Sequence, residues 1–281
     1  MARVPRTVHF VFGLAPQTEP FHLVHYVAIE SCRQVLAPER ILLHCKHLPF
    51  GVYWDLIRPH LTLVPADLAP EVDSADYRDG LVPEAYRYAH HADFVRLDAL
   101  IEHGGLYADI DTVFVRPLPD ELYDAPFVIG QEDPVRDERT GQTRPSVCNA
   151  LLLGEPGSAF ARAWRAGMGA ALDGTWSNHS GFLARSLADG MPDDVRVVPR
   201  EAFFPASFTV GGIRSLFEGD DLDTSRSYSV HLWSHLWWRR ERTDFTRVHA
   251  GQLTADHIRS VDTSYNRLAR PFVPDLDLWT G

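Results

Sequence analysis

The sequence predicts an α/β fold in which a mixed, mainly parallel β-sheet is flanked by helices. Short apolar runs typical of buried strands alternate along the chain with segments that have the three- and four-residue apolar spacing of helices. Such alternation favours parallel strands with helices on both faces of the sheet. Two of the predicted strands end at residues 12–13 and 109–111. Because ligands bind beyond the carboxyl ends of strands in such sheets, we expect the functional site there.

The predicted elements follow one another without a linker or an internal repeat, so we expect a single domain over residues 1–281. Strands are predicted at about 8–12, 41–45, 61–64, 106–115, 127–130, 147–153, 195–198 and 227–233. Helices are predicted at about 21–36, 54–60, 91–103, 158–172 and 182–188. Residues 131–145 are predicted to form a long loop and 174–181 a polar turn, and the last forty residues have no assignment.

Residues 91–111 are the most informative stretch of the sequence. Their apolar spacing predicts a buried helix that ends at Gly104-Gly105, because glycine enters the left-handed conformation without strain. The strand that follows is expected to carry Tyr107, Asp109 and Asp111 on one side of an extended chain.

Four charged residues of this stretch predict a metal and phosphate site. Asp93 and Arg96 share one face of the helix, and Asp109 and Asp111 lie on the strand beside it. Buried carboxylates require a partner charge, and hard oxygen ligands suit Mg²⁺ or Mn²⁺, whose shell substrate phosphates complete. The alternatives are a solvated turn for the aspartates and a simple intrahelical ion pair for Asp93 and Arg96.

The same residues resemble a known family. The pattern D-x-x-R followed by G-G-x-Y-x-D-x-D is similar to the DXD-type sugar transferases, the group that contains the yeast initiating mannosyltransferase and the vertebrate α1,4-galactosyl- and α1,4-N-acetylglucosaminyltransferases. A more distant likeness is to the clostridial glucosylating toxins. Weaker similarity at 4–12, 147–150, 203–205 and 231–233 extends the resemblance to about residues 4–240, with 241–281 as an appended segment.

This resemblance implies the GT-A fold, a Rossmann-like nucleotide-sugar transferase fold, and a metal-dependent transfer that retains the anomeric configuration. It implies that Asp111 is a direct metal ligand and that Asp109 contacts sugar or ribose hydroxyls, with a part in the metal site. Asp93 would orient the donor sugar, Arg96 would bind its phosphate, and Tyr107 would line the donor site. The expected cofactor is Mn²⁺ or Mg²⁺. The expected donor is a UDP-sugar, with GDP-mannose as the alternative.

The resemblance adds a C-terminal metal ligand, because its H-x-W signature matches His231 and Trp233. A core histidine is the equal alternative for His231, and His235 is a weaker candidate. Asn149 lies on a buried strand, where it would contact a sugar or clamp the backbone. Trp233, Trp237 and Trp238 are expected to serve packing.

The remaining candidates carry weaker predictions. Phe10 and Phe12 would either pack in the core or stack on the donor base. Glu132 and Asp133 follow a strand and are candidates to meet the acceptor, which would be a carbohydrate, a lipid-linked sugar, a small molecule or a protein. No carboxylate stands out as a nucleophile, so a front-face displacement, in which the leaving phosphate takes the acceptor proton, is the default.

Two other functions compete with the transferase. The stretch 109–113 also matches the D-x-D-x-T opening of haloacid-dehalogenase-type phosphatases, in which Asp109 would be the nucleophile. That chemistry requires a downstream lysine, and Lys46 is the only lysine of the chain. The third option is a non-catalytic nucleotide-sugar-binding module. Zinc sites at His22/His25, His44/Cys45/His47 or His90/His91 lack a closed ligand set.

Composition limits the remaining function classes. The net charge of -11 argues against a nucleic-acid partner. No apolar run is long enough to span a membrane, and the N-terminus does not have the pattern of a signal peptide. Three cysteines without metal-ligand spacing indicate a reducing compartment. The animal members are anchored in Golgi membranes, so we expect a chain that departs from them: a soluble, cytoplasmic, bacterial enzyme.

Overall fold

The computed structural model describes residues 2–74, 87–242 and 246–276. Its strands are β1 (Thr7–Val11), β2 (Arg40–Cys45), β3 (Thr62–Pro65), β4 (Gly105–Ala108), β5 (Thr112–Phe114), β6 (Phe127–Gln131), β7 (Val135–Arg136), β8 (Thr143–Arg144), β9 (Val147–Gly154), β10 (Arg196–Val198) and β11 (Ser229–His231). Its α-helices are α1 (Leu23–Ser31), α2 (Val52–Ile57), α3 (Pro70–Ser74), α4 (Arg87–His103), α5 (Asp120–Tyr123), α6 (Ala159–Ala171), α7 (Leu183–Gly190), α8 (Arg200–Phe203), α9 (Val210–Phe217), α10 (Ala255–Ser260) and α11 (Ser264–Ala269). Two π-helical segments, Cys32–Leu36 and Asn178–Phe182, follow α1 and precede α7, respectively.

A seven-stranded sheet of order β10-β6-β9-β4-β1-β2-β3 forms the centre of the protein. Its pairs are parallel except where β9 runs antiparallel to both β4 and β6. This confirms the predicted mixed, mainly parallel sheet. Since β9 is reversed, it begins at the sheet edge where β1, β4 and β6 end. That edge therefore collects the residues that follow Val11, Ala108 and Gln131, together with the first residues of β9.

Helices cover both faces of this sheet, and consecutive strand residues divide between the two sides. The Phe10 side chain belongs to the larger core cluster, whereas that of Val11 belongs to the cluster beneath α4 and α6. Phe94, Leu97 and Leu100 bury one side of α4 in this second cluster, as the apolar spacing predicts.

The predicted glycine stop of this helix is confirmed. Gly104 has a φ of +62°, and a Cβ atom there would lie 2.5 Å from Cδ of Pro156. Glycine is therefore required both by the backbone conformation and by the close approach of the loop between β9 and α6. The turn carries the chain directly from α4 into β4, so that Asp93 and Arg96 lie beside the end of that strand.

The predicted continuous strand through the D-x-D motif is wrong. Strand β4 ends at Ala108, and the amide of Thr112 donates to the carbonyl oxygen of Asp109 at 3.0 Å, which closes a tight turn. The chain then enters β5, which leaves the main sheet and pairs antiparallel with β11. Alternating side chains cannot reveal such a turn, because the pairing that stops the strand comes from residues more than a hundred positions away.

Three further segments differ from their predictions. Residues 131–145, predicted as a loop, contain the β7–β8 hairpin. The polar turn at 174–181 runs into the π-helical segment Asn178–Phe182. The C-terminal residues were expected to form an appended segment, but Leu253, Ile258 and Tyr265 are buried in the larger core cluster. The rest of that segment, 243–245 and 277–281, lies outside the described residues. None of the helices in the described ranges has both the length and the apolar character that a membrane span needs.

Candidate active site

A cavity of about 330 Å³ opens at the sheet edge where β1, β4 and β6 end and β9 begins. This volume is within the range of small-molecule sites. Seven of the residues predicted to bind the donor or the metal line this cavity, namely Asp93, Arg96, Tyr107, Asp109, Asp111, Asn149 and His231.

Asp109, Asp111 and His231 converge on one point of the cavity wall. One potential ligand atom from each of the three lies within 4.8 Å of the other two. Nε2 of His231 is 3.1 Å from Oδ1 of Asp111 and 3.7 Å from Oδ2 of Asp109. Within the described ranges, these three residues are the only group of three or more histidine, cysteine or acidic side chains arranged to hold a metal ion. The zinc groupings considered from the sequence are not assembled.

The pairing of β11 with β5 brings His231 to the aspartates. His231 lies opposite Thr112, the first residue after the D-x-D turn. Two residues further on, Trp233 adopts a left-handed backbone with a φ of +56°, which is rare for a residue other than glycine. The chain reverses there, and the amide of Ser234 donates to Oδ2 of Asp111 at 2.7 Å. Strained backbone of this kind is typical of functional sites.

The charges of this cluster fit a divalent cation. Burial alone would raise the pKa of Asp111, but the charge and hydrogen bond of His231 and the hydrogen bond from Ser234 hold it well below its usual value. Burial raises the pKa of Asp109, although Arg96 and His231 oppose the effect. Burial would lower the pKa of His231, but the charge of Asp111, the hydrogen bond with it and the charge of Asp109 together raise that pKa above its usual value. Two buried aspartates, Asp93 and Asp111, and the half-buried Asp109 thus have the guanidinium of Arg96 and the imidazoles of His179 and His231 as their neighbouring basic groups. Two carboxylates and an imidazole are ligands that Mn²⁺ accepts readily.

Arg96 lies between the helix aspartate and the strand aspartate. Its Nη2 is 2.9 Å from Oδ1 of Asp93, and its Nη1 is 3.3 Å from Oδ1 of Asp109. Nη1 also donates to the carbonyl oxygen of Asn149 at 2.6 Å, and the guanidinium lies 4.5 Å from the centre of the Tyr107 ring. Most of its N–H donors are therefore directed at protein groups, and Arg96 holds the two aspartates in place.

Tyr107 stabilises the same arrangement through a hydrogen bond to Asp109. Its hydroxyl donates to Oδ1 of Asp109 at 2.6 Å, and its side chain is almost fully buried. Burial first, and then the nearby carboxylate, raise the pKa of Tyr107 well above its ordinary value, so the hydroxyl remains a donor. Tyr107 thus fixes which oxygen of Asp109 faces away from the cluster.

Asp93 receives hydrogen bonds from both neighbouring elements. Nδ2 of Asn149 donates to Oδ1 at 2.8 Å, and Nε2 of His179 lies 2.8 Å from Oδ2. Burial would raise the pKa of Asp93, but Arg96 and His179 lower it below the usual value. The Asn149 side chain therefore clamps Asp93 while its carbonyl holds Arg96. That is a hydrogen-bonding role for Asn149 that the sequence left open.

His179 is a site residue that the sequence analysis did not find. It is fully buried, and its Nδ1 has no hydrogen-bond partner among the described residues. The segment that contains it has no helical or strand periodicity, so only its histidine itself could have drawn attention, and the chain has 14 of them. It reaches Asp93 because the π-helical segment Asn178–Phe182 packs against the start of β9.

Glu132 lines the cavity and Asp133 does not. The hydroxyl of Ser146 donates to Oε1 of Glu132, and burial raises the pKa of this carboxyl to about 7. Asp133 instead lies 3.3 Å from Nε of Arg200. Of the two acceptor candidates, only Glu132 is in position to meet a substrate.

Other predicted residues lie outside the cavity or at its rim. Phe10 is fully buried in the larger core cluster, and Phe12 packs against Phe21 and His25. Neither ring is among the residues that line the cavity, where a donor base would bind. His235 lines the cavity and stacks on Trp176 with ring centres 4.8 Å apart. Of the three C-terminal tryptophans that were expected to serve packing, Trp233 lines the cavity, whereas Trp237 and Trp238 belong to the larger core cluster or pack against it.

Comparisons with known proteins agree with this site. Residues 67–132 match the family model described as a glycosyltransferase sugar-binding region containing a DXD motif. The chain is 31% identical to glucan organizing enzyme 1 of Cryptococcus neoformans var. grubii, over 98% of its own length and 72% of that protein. This likeness extends past residue 240, further than the sequence motifs indicated.

A solved structure with little sequence identity shares the fold. An active-site mutant of LgtC has a TM-score of 0.50 at 14% identity, covering 98% of this chain and 99% of that one. The galactosyltransferase LgtC with donor and acceptor sugar analogues has a TM-score of 0.49 at 15% identity, covering 97% and 98% of the two chains. The fold is GT-A, as expected. The motif match and the fungal relative together show that this chain belongs to the DXD-containing glycosyltransferase family.

Proposed function

We propose that this glycosyltransferase moves a hexose from a nucleoside-diphosphate sugar to a hydroxyl group, in a metal-dependent reaction that retains the anomeric configuration. The convergence of Asp109, Asp111 and His231 on the cavity wall is the observation that carries the proposal. A Mn²⁺ or Mg²⁺ ion held by these residues would neutralise the charge of the departing nucleoside diphosphate. Residues 93, 96 and 149 lie on the same wall and would orient the donor.

The protein groups divide the remaining work. Asp93 has one unused lone pair on Oδ2 once His179 and Asn149 are bonded, and that lone pair would accept a hydroxyl of the donor sugar. Arg96 would keep Asp93 and Asp109 in position and add positive charge near the leaving phosphate. In a front-face displacement the leaving phosphate oxygen takes the acceptor proton, so no protein base is required.

We favour a UDP-sugar over GDP-mannose as the donor, and a carbohydrate as the acceptor. The support for the acceptor is the name of the fungal relative, a glucan organizing enzyme. Lipid-linked sugars, small molecules and proteins are the other acceptor classes to test. We also propose that the chain works in a reducing, cytoplasmic compartment, since Cys32, Cys45 and Cys148 are buried and unpaired.

The two competing functions are not retained. Membership of a glycosyltransferase family makes the phosphatase interpretation wrong, and it also removes the non-catalytic module. The difference has a direct chemical readout at Asp109. A phosphatase nucleophile forms an aspartyl-phosphate, whereas a transferase residue does not. Mass spectrometry after incubation with phosphate esters should find no phosphorylated Asp109.

A thermal-shift screen tests the proposal. UDP- and GDP-sugars are added to the protein with and without Mn²⁺, because a ligand that binds only the folded state raises the melting temperature. We expect a UDP-sugar to stabilise the protein in the presence of Mn²⁺ and to release free sugar and UDP slowly. If none of the nucleotide sugars raises the melting temperature, either with or without Mn²⁺, the result would contradict the proposed function.

A further inference from the structure

The carboxylate of Glu132 lines the cavity, and no side chain in the described ranges forms an ion pair with it, although the charge of His231 acts on it from farther away. Glu132 follows β6, and in the described part of the chain its one side-chain hydrogen bond comes from the Ser146 hydroxyl to Oε1. Glu132 is half-buried, and a carboxylate that loses part of its contact with water is ordinarily paired with a positive charge, because an uncompensated charge in a protein interior is costly. A glutamine would accept the same hydrogen bond at a lower cost, so the Ser146 contact alone does not account for a carboxylate at this position.

The Glu132–Ser146 pair is held in a closely packed setting. A Cβ atom on Gly181 would lie 2.3 Å from Oγ of Ser146 and 3.2 Å from Oε1 of Glu132. Gly181 thus allows the π-helical segment to press against the pair and fixes both side chains. Burial raises the pKa of Glu132 to about 7. Near neutral pH some molecules therefore carry the protonated carboxyl, which can donate a hydrogen bond, and the others carry the carboxylate, which only accepts.

The position of Glu132 relative to the D-x-D turn suits a second substrate. Strands β6, β9 and β4 are neighbours in the sheet, so the ends of β6 and β4 lie two strand spacings apart, which is roughly 10 Å. Asp109 follows β4 and Glu132 follows β6. A gap of that size accommodates the transferred sugar, and a hydroxyl on its far side would meet Glu132.

The cavity is also lined by an aromatic side chain. Trp176 and Gly181 both line the cavity from the stretch around the π-helical segment, and the half-buried Trp176 ring is stacked on His235. Sugars present a C–H face that packs on aromatic rings and hydroxyls that bond to carboxylates. A carboxylate and an indole among the residues that line the cavity therefore match a polyhydroxylated ligand better than an apolar or a peptide one.

We propose that Glu132 forms the acceptor subsite of this transferase and binds a hydroxyl group of a carbohydrate acceptor, with Trp176 packing on the sugar ring and the buried Ser146 holding the Glu132 carboxylate. This inference rests on the proposed function. The transfer forms a bond between the acceptor oxygen and the anomeric carbon and breaks the bond between that carbon and the phosphate oxygen. The acceptor proton passes to the departing phosphate oxygen, so Glu132 binds the acceptor and does not retain its proton.

The test separates transfer from donor hydrolysis. Wild-type protein and Glu132→Gln are given a UDP-sugar and Mn²⁺, first without acceptor and then with laminaritriose, cellotriose or maltotriose as the probe. We expect the KM of the variant for the best probe to rise about tenfold, as for the loss of one charged hydrogen bond, and its sugar transfer to fall much more than its donor hydrolysis. Glu201→Gln is the matched control, because Glu201 carries the same charge on the adjacent α8 and is outside the cavity lining.

Ser146→Ala provides a second variant, and melting temperatures show whether each protein is folded. An unchanged probe KM in Glu132→Gln would overturn the proposal. So would a wild-type protein that hydrolyses the donor but transfers sugar to none of the three probes. A wild-type protein with no donor turnover at all would instead refute the proposed function on which the inference rests.

Discussion

Nε2 of His231 lies 3.1 Å from Oδ1 of Asp111, although 120 positions separate the two residues along the chain. The β11–β5 pairing brings them together, and the amide of Ser234 occupies the other oxygen of Asp111. The acidic motif and the C-terminal H-x-W signature therefore form one site. The imidazole and the carboxylate attract each other, and a bound divalent cation would take the place of the imidazole proton.

Removing the imidazole should weaken the metal site selectively. We predict that His231→Ala raises the Mn²⁺ concentration needed for half-maximal donor turnover by about tenfold, the equivalent of about 1.4 kcal/mol. His235→Ala serves as the comparison, because His235 lines the cavity but is not part of the three-residue cluster. If the Mn²⁺ requirement is unchanged and only the melting temperature falls, His231 is a core histidine.

His179 should affect the donor sugar and leave the metal requirement alone. Its Nε2 donates to Oδ2 of Asp93, so His179→Ala removes a donor from a buried carboxylate, a loss of about 1–3 kcal/mol. We predict a fall of about tenfold or more in donor turnover with an unchanged half-maximal Mn²⁺ concentration. His179→Gln should recover part of the activity, since an amide can donate to the same oxygen. Equal losses in both variants would argue against a positioning role.

A histidine pair away from the cavity should make stability depend on pH. Nε2 of His9 is 2.9 Å from the carbonyl oxygen of Gly104, which can only accept, so His9 Nδ1 accepts from Nε2 of His44, also at 2.9 Å. Burial, and to a lesser degree the charges of His103 and Arg40, lower the pKa of His9 to about 4. In the unfolded chain a histidine titrates near 6.5.

Between pH 6.5 and pH 4, His9 is therefore protonated in the unfolded chain and neutral in the folded protein. The contribution of His9 to the free energy of unfolding should be largest above about pH 6.5. It should fall by about 3 kcal/mol as the pH drops to about 4. Urea unfolding from pH 8 to pH 4 measures it. His9→Gln keeps both hydrogen bonds without a titrating group, so its pH dependence should be shallower, whereas the exposed His60→Gln should follow the wild type. Parallel curves for all three proteins would contradict this explanation.

The local features of the site could be predicted from the sequence because they depend on short-range rules. The helix spacing around Asp93, the stop at Gly104 and the acidic pair near a strand end all follow from neighbouring residues. The sheet was also predictable, since strands and helices alternate. The reversed β9 was not, because an apolar run carries no information about strand direction.

The features that were missed depend on contacts between distant residues. The D-x-D aspartates were expected on a continuous strand, and β11 instead draws the chain into a turn after Ala108. His231 came only from the family resemblance. His179 lies in a π-helical segment without a periodic pattern, and it is brought to Asp93 by packing against β9. Helix and strand propensities predict neither the turn at the D-x-D motif nor the position of His179, because tertiary contacts determine both.

The central claim is that Asp111 holds a divalent ion that binds the donor's diphosphate. Isothermal titration of UDP into the protein with Mn²⁺ measures it most directly, with Asp111→Asn as the variant and the exposed Asp124→Asn as the control. Asparagine keeps the shape of the side chain, so the circular dichroism spectrum should not change. We predict that Asp111→Asn weakens UDP affinity at least about tenfold and removes the effect of Mn²⁺, while Asp124→Asn binds as the wild type does. UDP binding by Asp111→Asn that is as tight and as Mn²⁺-dependent as in the wild type would contradict the account.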